Sequence, residues 1–331
     1  MCKKVQLHTQ FSTFSTFHSN GEVGLMIMQN PSLYNSLLNK SIMLCCNKSF
    51  LRGYTSPNVY VENACVCDIP NTENIWMTCR FLDGVIHKVI RNIIDQGYYV
   101  CFNRVDDYYI PNKSWYKEIH SLHDGIICGY DQEKKTYSIF AYDKNWIFRV
   151  FEIPQHSFIK GMWSATKMGE QTTFRAIKTK GGNVQLEPKA IIERLKMYLD
   201  NTIDKFPIQS NDRITGIAVQ SLMKNYLSLI YMNAIKHEHI DRRTMRVIWE
   251  HKKCMYDRIV ALENYFKMDY TLSDKYKAVV NIADRIRLVY AMYIKSPKKE
   301  SLLAIDKDID KLIEEETNIL RECIDVFERR I

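Results

Sequence analysis

The sequence predicts an α+β chain: short helices, then an antiparallel sheet, then an all-α bundle. Three observations carry the prediction. Four aromatic or β-branched runs crowd between Tyr98 and Ile153, and one polar turn joins two of them. A Gly-Gly pair at Gly181–Gly182 breaks the chain, and nearly all the glycines stand before it or in it. Beyond it the apolar residues recur mostly at threes and fours, the period of helices that bury one face. The expected division is therefore a first domain over residues 1–182 and a helical bundle over 183–331.

Taken in order, "GEVGLMIMQ" (Gly21 to Gln29) and "NSLLNKSIMLCC" (Asn35 to Cys46) each read as a short buried helix. "RFLDGVIHKVIRNIIDQG" reads as a firmer helix that stops at Gly97, a residue able to take the left-handed cap. The strand-like runs follow: Tyr98 to Val105, Asp124 to Asp131, Thr136 to Asp143 and Trp146 to Ile153. "DQEKK" (Asp131 to Lys135) is the polar turn of a hairpin. In the second half, Pro188 opens a helix with Ile191, Ile192, Leu195, Tyr198 and Leu199 on one face, and Pro207 ends that segment. A second helix runs from about Asp212 to Lys236. A third spaces Met245, Ile248, Met255, Ile259, Leu262 and Phe266 along one stripe, with Lys252 in its only gap. A fourth carries Tyr276, Val279, Ala283, Ile286 and Tyr290, and a fifth Leu302, Ile305, Ile309, Leu312, Ile319 and Cys323. "WEHKK" (Trp249 to Lys253) reads as a solvated charged face.

Composition excludes several classes. The net charge of +8 is mild, is shared by both halves and forms no long run, so it is no nucleic-acid footprint. A mildly positive surface suits an acidic protein partner. No run approaches the roughly 18 apolar residues of a membrane span, and the N-terminus has no apolar core of a signal peptide. The expected compartment is the cytoplasm. Ten cysteines there should be reduced. Their spacing, "CVC" (Cys65, Cys67) included, lacks the paired pattern of a zinc site, so no metal is expected. Most read as small buried hydrophobes.

The candidate site lies in "YKEIHSLHDGIICGYD". His123 begins one strand and Asp143 closes the next. Both stand equally far from Glu133 in the turn, so an antiparallel hairpin makes them cross-strand neighbours. A carboxylate there could orient the imidazole, and Asn145 could do so with its amide. His120 and Asp124 could assist. In "VDDYYIP", Asp106 or Asp107 could hold the charge of an amine, with Tyr109 beside them.

The run "IIDQGYYVCFNRVDDYYIPNKSWYKEIHSLHDGIICGYDQEKKTYSIFAYDKNWIF" resembles the butirosin biosynthesis protein H family. The shared features are "GYYV", "VDDYYIP", a histidine before a strand ending "GYD", and the closing Asp143. The helical region with "IDRRTMRVIWEHKK" is similar to the C-terminal part of relatives encoded beside peptide synthetases. The resemblance implies a papain-like, cysteine-protease-type α+β domain with an antiparallel sheet. It also implies transfer of an acyl group from a carrier-protein thioester to an amine. The partners implied are an acyl or peptidyl carrier protein and a small amine; a homodimer is left open. No cofactor is bound directly; the phosphopantetheine belongs to the carrier.

The family's nucleophilic cysteine opens the first helix. The corresponding place here is "FHSNGEVGLMIM", where His18-Ser19 stands instead of His-Cys. Three readings follow: Ser19 is the nucleophile with His123 as base; Cys45 or Cys46 is; or there is no covalent step, because a thioester is already activated and an amine needs only a base. Two rival functions remain beside the acyltransferase: an inactive scaffold of a synthetase assembly line, and a hydrolase using water.

Overall fold

Alternating and helix-period segments separate in the structure into a sheet and a bundle. The computed structural model describes the chain except residues 1, 2, 11, 13, 63–68, 80, 81, 83 and 202–211, and except the side chains of residues 18–20 and 31. In chain order the elements are β1 (Lys4–Gln6), α1 (His18–Ile27), α2 (Tyr34–Lys40), β2 (Leu44–Asn47), α3 (Ser49–Gly53), β3 (Val59–Val61), β4 (Thr72–Thr78), α4 (Ile86–Asp95), β5 (Tyr99–Asp106), β6 (Leu122–Asp131), β7 (Thr136–Tyr142) and β8 (Phe148–Pro154). There follow α5 (Gln155–Lys167), β9 (Thr173–Thr179), α6 (Pro188–Leu199), β10 (Arg213–Thr215), α7 (Ala218–Tyr231), α8 (Thr244–Tyr265), α9 (Thr271–Lys295) and α10 (Lys299–Glu328). The chain is α+β with antiparallel sheets.

Two units form. The first is Met1–Leu33 with Cys65–Asn183, the second Tyr34–Ala64 with Val184–Ile331. A single cut at Gly182 therefore misplaces residues 34–64. They join the second unit because β2 pairs with both β3 and β10, and because the buried Arg258 of α8 donates to Leu38 O at 2.7 Å and Ser41 O at 2.8 Å. The cation thus satisfies carbonyls at the end of α2, where a positive charge is favoured. The expected helix over Asn35–Cys46 is half right: α2 stops at Lys40, and Leu44–Asn47 is a strand.

In the first unit the sheet runs β4-β9-β5-β6-β7-β8, and β1 pairs with the far end of β6. One face packs α4 and α5, whose Ile86, Ile90, Ile94, Phe158 and Met162 are buried; burying each such side chain contributes about 1.5–3 kcal/mol. The opposite face carries Phe140, Tyr142 and Phe148, rings 4.4 and 5.0 Å apart about Phe148, and meets α1. A Cβ on Gly21 of α1 would lie 2.6 Å from Phe148 Cζ, and Tyr142 OH donates to Ser15 O at 2.6 Å. Gly97 takes the expected left-handed cap after α4, with φ +83. The hairpin register is the expected one beyond its turn: Ile127 faces Ile139 and Ile126 faces Phe140, each pair equidistant from Glu133, and a bulge near Cys128 absorbs the offset closer in.

In the second unit the apolar stripes of α6 to α10 are buried as the period requires. Pro207 lies outside the described residues. The third stripe continues through Lys252, which is itself fully buried. No helix among the described residues is long and apolar enough to cross a membrane.

Candidate functional site

The loop from β5 to β6 gathers two carboxylates and two histidines. Asp106 ends β5 and caps the short turn Asp107–Tyr109, accepting from Tyr108 N at 3.1 Å. Its carboxylate is fully buried and accepts three further bonds, from Ser121 N (3.2 Å), Ser164 Oγ of α5 (2.7 Å) and His120 Nδ1 (2.6 Å). Close packing holds α5 there: a Cβ on Gly161 would lie 2.8 Å from Asp106 O and 2.9 Å from Val105 Cγ1. His120 is thereby fixed at one nitrogen, and Tyr108 stacks on the ring at 4.3 Å. About half of the His120 side chain is exposed.

His123 stands one strand position behind Asp124, opposite Val105. Its Nδ1 lies 2.8 Å from Asp107 Oδ2, off the line of an aligned hydrogen bond. The same oxygen is 3.6 Å from Lys113 Nζ, and both of those side chains are 5% exposed. Burial pushes the Lys113 ammonium down from its ordinary range, while Asp107, Asp124 and Asp143 oppose that shift. A bulge in β5 brings these groups together: register slips between Phe102 and Val105, and Arg104 takes φ +53. Bulges of this kind re-aim side chains at strand ends.

The expected His123–Asp143 pair does not form. Asp143 Oδ1 accepts from Asn145 N at 2.8 Å and Ile147 N at 2.9 Å, and Oδ2 from Arg149 Nε at 2.6 Å. An aspartate at the head of a turn bonds first to the backbone of that turn. Burial pushes its pKa up, and these donors outweigh that and hold it below the usual carboxylate range. Asn145 is exposed and contributes its backbone N–H to Asp143. Asp124 is exposed and accepts from Arg104 N at 3.2 Å. Tyr109 packs on Tyr108 at 5.1 Å, beside His120.

The nucleophile candidates are placed elsewhere. Val105, facing His123, packs on α5. Cross-strand neighbours share a face, so His123 stands on the α5 face and α1 on the other. Ser19 belongs to the first turn of α1, and its side chain lies outside the described residues. Cys46 and Cys45 are buried in β2 of the second unit, and burial pushes their thiols up to about 12 and about 11. All seven described free cysteines are buried; Cys2, Cys65 and Cys67 lie outside the described residues. No group of three or more metal-binding side chains is found among the described residues.

Two features escaped the sequence reading. "WEHKK" is no solvated face: Glu250, His251 and Lys252 are buried. Lys252 Nζ lies 2.7 Å from Glu316 Oε2 and donates to Tyr198 OH at 2.8 Å. Glu316 also accepts from Tyr276 OH at 2.6 Å and Gln220 Nε2 at 2.5 Å. The one signal in the sequence was a lysine in the gap of an otherwise apolar stripe. The second feature is Trp146, in the turn after Asp143, which takes φ +60. That conformation costs a residue with a Cβ roughly 1–2 kcal/mol. A scan of protein-family models gives no match to the chain, and a search of curated proteins returns no significant relative.

Proposed function

We propose that the β5–β6 loop is a general-base site that promotes attack of an amine on a carrier-bound thioester without a covalent acyl-enzyme. The observation that carries this reading is the Asp106–His120 pair. A carboxylate only accepts, so His120 Nδ1 donates, and Nε2 is the nitrogen left to take a proton. In the step, the amine nitrogen attacks the thioester carbonyl as His120 removes its proton. The C–S bond then breaks, and the imidazolium returns the proton to the leaving thiolate. His123 and Asp107 stand beside it, and Asp124 offers an exposed carboxylate that can accept from an N–H of the neutral amine. Thioester donor, phosphopantetheine carrier and amide product rest on the resemblance to the butirosin biosynthesis protein H family. The antiparallel sheet with a helix on each face is compatible with a papain-like scaffold. The separation of α1 from His123 argues for the non-covalent route over Ser19.

A hydrolase is the second reading, favoured by the half-exposed His120, which water can reach. Intact-mass spectrometry of an acyl-loaded carrier, with an amine panel, tests both. Wild type would be compared with His120→Ala, His123→Ala, Ser19→Ala and the Cys45→Ala/Cys46→Ala pair. The expected result is amide product, no acyl adduct on the protein, and a loss of at least about 100-fold in His120→Ala. An adduct that vanishes in Ser19→Ala would contradict the non-covalent route. Free acid formed equally without amine would support the hydrolase, and no turnover at all the scaffold.

A further inference from the structure

Apolar side chains collect at the same sheet end as the His–Asp pairs. Trp115, in the β5–β6 loop, meets Trp146, in the β7–β8 turn, edge to face with centroids 6.2 Å apart. Ile119 follows one helical turn after Trp115, its N–H donating to Trp115 O at 3.3 Å, and His120 comes next in the chain. Ile119, Trp146 and Ile147 are exposed, the two isoleucines by more than half.

The local backbone preference does not favour this arrangement. The turn would be relaxed by glycine or asparagine at position 146, because φ +60 is left-handed. It holds a tryptophan instead, at 37% exposure. A bulky, partly exposed residue is thus kept in a conformation that glycine would hold more easily. The loop bearing Trp115 is itself firmly built: Lys117 N donates to Tyr108 O at 3.0 Å, Asp107 N to Ser121 O at 2.9 Å, and Lys113 is buried beneath it. Trp115 and Ile119 therefore belong to the same braced loop as His120.

We propose that Trp115, Trp146 and Ile119 form the acyl-chain subsite, and that the donor carries an apolar acyl group of medium length or an aromatic one. The inference rests on the acyl-transfer reading for the thioester, and on these three side chains for the chain. The occupant follows from the lining: uncharged rings and branched carbons, continuous along the loop with His120, favour a hydrocarbon over a charged or very short acyl group.

Octanoyl and acetyl thioesters of N-acetylcysteamine would be titrated into the full-length protein, followed by tryptophan fluorescence and by calorimetry. The octanoyl probe should bind at least tenfold more tightly. Trp146→Gly, shown by circular dichroism to be folded, should abolish the difference; Trp115→Ala is the second variant. Equal affinity for the two probes, or a preference that survives both substitutions, would overturn the subsite. Turnover measured after an amine panel is added to the same samples separates the two claims: a chain-length preference without turnover sinks the acyltransferase and keeps the subsite, and turnover without preference does the reverse.

Discussion

Replacing Lys252 by methionine should destabilise the second unit by about 3 kcal/mol, the lower end of the roughly 3–5 kcal/mol lost when one member of a buried ion pair is removed. The geometry sets that value. Lys252 and Glu316 are both fully buried with 2.7 Å between Nζ and Oε2, so the remaining carboxylate cannot turn to water. It is not abandoned either: Tyr276 OH, Gln220 Nε2 and Tyr198 OH still donate to it, at 2.6, 2.5 and 3.1 Å. Three donors place the loss at the low end of the range. The double variant Lys252→Met/Glu316→Gln removes both charges and keeps an amide oxygen to accept from those donors. It should recover most of the loss, so the coupling between the two sites should exceed about 1 kcal/mol. Urea denaturation followed by circular dichroism, with hydrogen exchange on α8 and α10, measures both. A single variant within about 0.5 kcal/mol of wild type, or a double variant equal to the sum of the singles, would refute the reasoning.

Three further outcomes are expected. Gly161→Ala should cost about 1–3 kcal/mol, because the added Cβ meets Asp106 O at 2.8 Å; it should also slow any His120-dependent turnover, and an unchanged midpoint would show that α5 has room to move. Stability should fall as the pH drops below about 6.5. Burial first, then the Lys252 charge, hold His251 well below its ordinary range, and burial lowers His87. The unfolded chain then takes these protons first, so stability is complete above the unfolded value and is lost on acidification; urea midpoints that rise toward acid would contradict this. Finally, the thiols of Cys46, Cys79 and Cys323, pushed up to about 12 by burial, should resist iodoacetamide at neutral pH until the chain unfolds; rapid alkylation of the native protein would show otherwise.

Much of the backbone was legible because period and punctuation act locally. The stripe of α8, the Pro188 start of α6, the Gly97 cap and the hairpin register about Glu133 all follow from neighbours in sequence. What was not legible depends on partners distant in the chain. Residues 34–64 join the second unit through β10 and Arg258, which no local pattern announces. β4, "TENIWMT", mixes polar and apolar residues because it is an edge strand with one row of partners. Lys252 reads as solvated in the sequence, but Glu316, sixty-four residues on, lies against it. At the site, "HSLHDG" and "VDD" contain the residues that the structure brings together, with a different pairing from the expected one. Register alone put Asp143 opposite His123, whereas the N–H groups of its own turn and Arg149 take that carboxylate, and the β5 bulge delivers Asp106 and Asp107 instead.

The most direct measurement is the single-turnover rate of acyl loss from a loaded carrier in the presence of amine. It would be compared in wild type, His120→Ala, Asp106→Asn and His123→Ala, each with and without added imidazole. If the Asp106-oriented His120 is the base, its alanine variant loses at least about 100-fold, imidazole restores part of the rate, and Asp106→Asn falls between the two. A wild-type rate in His120→Ala, with the loss found in His123→Ala instead, would contradict the assignment.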